Sequence, residues 1–137
     1  MTIARTLGRW LLAGFLVFAG SAHFWATREF RAQVPPWLPL DVDLVVLASG
    51  VVEVALGLGL LLLPRHRVLV GWLVAVLFVV VFPGNVAQYV EGRDAFGLDT
   101  DSARLTRLFF QPLLVLWAVW CTRAWTVLAP GTSGRRE

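Results

Sequence analysis

Four long apolar stretches, at residues 7–25, 44–63, 68–88 and 108–127, leave this chain few ways to fold. A helix rises 1.5 Å per residue, so about 20 mainly apolar residues carry it across the hydrocarbon layer of a bilayer. The stretches are too long for strands and lack the alternation of apolar and polar positions that a half-buried strand shows. In lipid a helix satisfies its own backbone donors and acceptors, which an open strand does not. The pattern predicts an all-α polytopic membrane protein, an antiparallel four-helix transmembrane bundle. It forms one domain over residues 1–130, with a short polar cytoplasmic tail at 131–137. Only Pro64-Arg65-His66-Arg67 joins the second and third stretches, and so short a link forces a hairpin.

The composition carries the same message. Of 137 residues, 58% are hydrophobic and 15% charged. Soluble domains hold about 45–50% apolar and about 25% charged residues. Small domains bury the smallest fraction of their surface, so the apolar excess of a chain this short must face lipid. The formal net charge of +3 lies at segment ends and in loops and forms no stripe, which excludes nucleic acid as a partner. The single cysteine, Cys121, excludes an intrachain disulfide or a CxxC pair. Within an apolar segment it reads as a small hydrophobe.

Arginine in short loops sets the direction. One side holds Arg5, Arg9, Arg65, Arg67, Arg123, Arg135 and Arg136, and the other Arg28, Arg31, Arg93, Arg104 and Arg107. The richer side is placed in the cytoplasm, with both termini, in the plasma membrane. Arg5 and Arg9 ahead of Gly20-Ser21-Ala22 also fit the outline of a cleavable leader. The apolar run continues through Phe24 and Trp25, which favours a span.

Ionisable groups inside a span are costly and mark candidate sites. Glu53 sits ten positions into the second segment, with Ser49, Gly50 and Gly57 at helical spacing on its face. Small residues allow close helix approach, so this face should point inward. His23 ends the first segment. Phe82-Pro83-Gly84-Asn85 is read as the end of the third helix, with Asn85 and Gln88 at i, i+3. Arg107 and Gln111 share a face of the fourth segment, continued by Ala118 and Thr122. With alternating directions, His23, Glu53, Asn85, Arg107 and Gln111 all fall in the outer half. They are expected to form one polar pocket open to the outer side, with Arg107 paired to Glu53 directly or through Gln111. Structural hydrogen-bond anchoring or headgroup contact is the competing reading for each residue alone. His66 lies at the opposite end from His23 and no ligand spacing is present, so no metal site is expected.

The two outer loops should roof the pocket. Residues 28–34 suit a short surface helix, and Val34-Pro35-Pro36-Trp37-Leu38-Pro39 suits extended backbone. In the second loop, Asp99 and Asp101 suit a helix cap or a divalent cation.

The ordered set Gly20-Ser21-Ala22-His23-Phe24, residues 34–39, Ser49-Gly50-Val51-Val52-Glu53 with Gly57, Pro64-Arg65-His66-Arg67, Phe82-Pro83-Gly84-Asn85-Val86, and Arg107 with Gln111-Pro112 resembles the DoxX-like family of small bacterial membrane proteins. The resemblance implies a four-helix bundle in the bacterial inner membrane and a membrane oxidoreductase partner, without a demonstrated catalytic residue. No haem pair, flavin motif or iron–sulfur motif is evident. The first functional expectation is therefore a non-catalytic subunit or scaffold of a membrane-associated redox assembly. The second is a quinone- or lipid-binding site of oxidoreductase type, in which Glu53, His23 and Arg107 contact the ligand. The third is a small transporter or proton pathway, which would require a homo-oligomer.

Overall fold

A computed structural model of the chain describes residues 2–92 and 100–128. The fold is all-α, with α1 (Ile3–Trp25), α2 (Thr27–Arg31), α3 (Val42–Leu62), α4 (Arg67–Glu91) and α5 (Asp101–Thr122). Helices α1, α3, α4 and α5 are each long and apolar enough to cross a membrane. The tail at 131–137 and Asp99 lie outside the described residues.

Helices α1, α3 and α5 begin earlier than their apolar stretches because capping, not hydropathy, starts them. Side-chain oxygens of Thr2, Asp41 and Thr100 accept from the backbone N–H of Arg5, Leu44 and Ala103. Each cap satisfies a donor that the first turn leaves open. Helix α5 thus starts at Asp101 and not at 108, with Thr100 as its cap, while Asp101 pairs with Arg104 at 2.9 Å. At its other end Arg123 turns left-handed (φ 58°), so the helix stops at Thr122 and Ala124–Val127 forms a 3-10 turn. Phe82-Pro83-Gly84-Asn85 does not end the third long helix, because α4 runs through Pro83 to Glu91. A proline removes one backbone donor, which a long helix with intact neighbouring bonds survives.

Two helix pairs pack closely. Helices α1 and α3 cross at glycines: a Cβ on Gly20 would lie 2.8 Å from the Gly50 carbonyl oxygen, and one on Gly50 would lie 2.8 Å from that of Gly20. The start of α1 lies beside the end of α3, where Arg9 Nη1 donates to the Leu60 carbonyl. Helix α4 meets α5 at Gly71, where a Cβ would run into Thr122 Oγ1. The pairs are joined at one end by Trp117 Nε1 donating to the Gly8 carbonyl at 3.0 Å, and Trp72 Nε1 reaches the Ala124 carbonyl at 2.9 Å. Leu12, Leu16, Leu60, Val74 and Cys121 fill the space between the four long helices at this end. Phe18, Leu62, Phe109 and Leu116 face outward and are exposed. The fold buries only 22–39% of the apolar stretch in each long helix.

Candidate functional site

At the end where α1 and α4 finish and α3 and α5 begin, the helices part around a cavity of about 390 Å³. His23, Glu53, Asn85, Arg107 and Gln111 all line it. Its remaining wall is mainly apolar, with Phe15, Leu16, Val45, Phe78 and Leu114.

Each helix pair contributes its own polar contact. On α1, His23 is buried and its Nδ1 lies 2.7 Å from the Val46 carbonyl oxygen. Gly50 makes this approach possible, because a Cβ there would lie 2.7 Å from the His23 Cβ. The other ring nitrogen, Nε2, lies 3.5 Å from Glu53 Oε1. A carbonyl only accepts, so Nδ1 carries a hydrogen and holds the ring in one orientation. Across the cavity, Asn85 Nδ2 donates to Gln111 Oε1 at 3.1 Å, and Gln111 Nε2 donates to the Phe78 carbonyl. Both amides are buried. A buried amide without partners would cost roughly 1–3 kcal/mol, so these bonds lock the orientation of both groups.

Arg107 stands apart from both pairs. The sequence predicts a pairing with Glu53, direct or through Gln111, but in the fold Glu53 meets His23 and Gln111 meets Asn85. The α1–α3 glycine crossing brings His23 onto Glu53, while Arg107 projects from α5. Arg107 lies within electrostatic reach of Glu53. Among the described residues it forms no salt bridge, and its Nε is buried without a hydrogen-bond partner.

The segment between α1 and α3 covers the cavity. Gln33, Val34, Pro35, Trp37 and Leu38 all line it. Several contacts seat this roof, among them Gln33 Nε2 donating to Gln88 Oε1 at 3.5 Å. The Phe30 ring packs on His23 with centroids 3.7 Å apart. The Gln33 carbonyl oxygen rests on Gly84, where a Cβ would run into it. Arg31 Nε pairs with Asp43 Oδ1 at 2.6 Å. The short helix expected over 28–34 is α2, Thr27–Arg31. Of the second loop, residues 93–99 lie outside the described residues. Residues 34–39 are not the extended backbone expected of them, since the Leu38 N–H donates to the Pro35 carbonyl and closes a turn, and Gln33, at the turn before them, is not a candidate from sequence alone. Among the described residues, no three His, Cys, Asp or Glu side chains gather as a metal site would require.

Residues 12–122 match the model of a family described as Domain of unknown function (DUF8561), and the chain belongs to that family. The matched span contains His23, Glu53, Asn85, Arg107 and Gln111. No curated protein and no solved structure matches the chain.

Proposed function

Taking membership of the DUF8561 family as the premise, we propose that this chain is a four-pass plasma-membrane protein that binds a small lipid-like molecule in the cavity between its helices. One observation carries the reading: four helices separated in sequence each send polar side chains into one roofed, otherwise apolar cavity. Pockets that hold small ligands have this make-up, an apolar wall with a few fixed polar groups. The outward apolar faces of α1, α3, α4 and α5 support a bilayer as the surrounding medium. The contacts of Arg9 with Leu60 and of Trp72 with Ala124 support an antiparallel bundle. Arginine counts put both termini in the cytoplasm and the cavity at the outer end.

The protein works as a ligand-binding subunit and not as a self-contained enzyme. The DoxX-like motif order supports a membrane oxidoreductase assembly as its setting, with a quinone or lipid as the bound molecule. Native mass spectrometry of protein purified in mild detergent tests the binding role. A co-purifying quinone or lipid is expected, and Glu53→Leu should release it. Unchanged retention in that variant would remove the cavity from the reading. Co-purification of a second membrane protein in the same preparation tests the assembly.

A further inference from the structure

The filled end of the bundle, away from the cavity, carries arginines with different tasks. Arg9 is buried, and its Nη1 donates to the Leu60 carbonyl. Four positions after Leu60 stands Pro64, which has no N–H, so Arg9 supplies a bond that α3 cannot make for itself. Arg65 is exposed on the hairpin turn. Arg5, Arg67 and Arg123 are half-buried, and the Nε of each is buried with no hydrogen-bond acceptor among the described residues.

Helical spacing gathers these last arginines at the end of α5. Arg67 lies one turn before Gly71, on the face of α4 that packs on Thr122. Arg5 lies three residues before Gly8, on the face of α1 where a Cβ would come 2.8 Å from the Trp120 ring. Both helices begin where α5 finishes, so both side chains stand level with Arg123, the residue that ends it. Arg123 has φ 58°, the only positive φ at a non-glycine residue among those described. Glycine adopts this conformation freely and is the usual residue there. Arg123 lies 6.0 Å from the centre of the exposed Trp125 ring, and Arg67 Nη1 reaches the Pro64 carbonyl at 3.3 Å. No carboxylate answers these charges, because residues 1–28, 54–90 and 102–136 contain no Asp or Glu. Glu137 lies outside the described residues and follows Arg135 and Arg136.

We infer that Arg5, Arg67 and Arg123 seat the phosphate head of an anionic phospholipid in the leaflet at this end of the bundle. This rests on the chain spanning a bilayer and not on the cavity holding a ligand. Guanidinium presents paired donors that match phosphate oxygens. An anionic head supplies the negative charge missing from this end, and a zwitterionic head brings its own cation with it. Trp125 suits the headgroup level beside it.

Native mass spectrometry of the full chain in a neutral detergent tests this, with phosphatidylglycerol and phosphatidylcholine of identical acyl chains as probes. Phosphatidylglycerol is expected to be retained about tenfold or more over phosphatidylcholine. Arg123→Gly should weaken that preference severalfold without lowering the thermal midpoint in detergent, because glycine suits the turn. Arg5→Gln and Arg67→Gln should each weaken it as well, whereas Arg28→Gln at the other end should not. Equal retention of the two lipids by the unaltered chain would overturn the proposal. A full preference in a chain carrying Arg5→Gln, Arg67→Gln and Arg123→Gly together would overturn the site. A preference lost on Glu53→Leu alone would move the lipid into the cavity, against this site and in favour of the cavity reading. A chain that stays dispersed without detergent or lipid would overturn the bilayer reading itself.

Discussion

The two ends of the same four long helices are built differently. At the end holding the start of α1, the polar side chains finish on backbone carbonyls: Arg9 on Leu60, Trp117 on Gly8 and Trp72 on Ala124. The space between them is filled by Leu12, Leu60, Val74 and Cys121. At the other end, His23 and Gln111 also reach carbonyls, of Val46 and Phe78, but each goes on to a second side chain, and between the pairs lies empty volume. Contacts that end on backbone fix helices in place. Contacts that continue into a cavity, with Arg107 left over, leave groups to offer to something else.

Substitutions at the two ends should therefore act in different ways. The largest effect is expected from Leu12→Ala, which opens a void in the filled end and should cost about 3 kcal/mol in reversible unfolding in mixed micelles. A cost below about 1 kcal/mol would show that this end is not close-packed. Gly71→Ala pushes a methyl group into Thr122 and should cost about 2 kcal/mol. Thr122→Ala in the same chain should recover much of that loss, since contacting sites couple. At the cavity end, Gly84→Ala sets a methyl group against backbone, the Gln33 carbonyl, so the segment over the cavity must lift off α4 and the cost in unfolding is expected at about 2 kcal/mol. The same change should speed maleimide labelling of a Ser49→Cys variant several-fold. Unchanged labelling would mean that the segment over the cavity does not control access to it. At the same end, Glu53→Gln should change stability by less than about 1 kcal/mol, because its amide can still donate to His23 Nε2. A loss above about 3 kcal/mol would make Glu53 a structural anchor, like the contacts at the filled end.

The orientation of the comparison can also be broken. In a Cys121→Ser background, Trp37→Cys should react with an impermeant reagent from outside intact cells and Arg65→Cys should not. The reverse pattern would turn the cavity toward the cytoplasm.

The long helices were readable because an apolar run of bilayer length admits few other folds. Their true starts were not, because Thr2, Asp41 and Thr100 act through a single side-chain oxygen that hydropathy does not register. The polar residues of the cavity stand out as groups expensive to place in an apolar segment. Their pairing does not, because it depends on how far each helix is rotated: the sequence predicts Arg107 beside Glu53, and the fold sets His23 there. Arg9 shows the same limit at the other end. Its place in the sequence reads as a cytoplasmic flank, yet the side chain is buried and turned onto α3. Gln33 lies beyond reach for another reason, since where it lands is decided by the length of the segment and by a glycine on a distant helix.

The indole of Trp117 binds a carbonyl 109 residues earlier in the chain. That bond cannot exist until the last long helix has been made, so during synthesis the first helix waits with only α3 available to hold it. The hairpin of the first two long helices must therefore hold without that clasp until α5 is complete, while synthesis proceeds at about 5–20 residues per second. The glycine crossing at Gly20 and Gly50 is the contact suited to that interval. The tryptophan then acts as a late clasp, closing a ring whose first half has already formed.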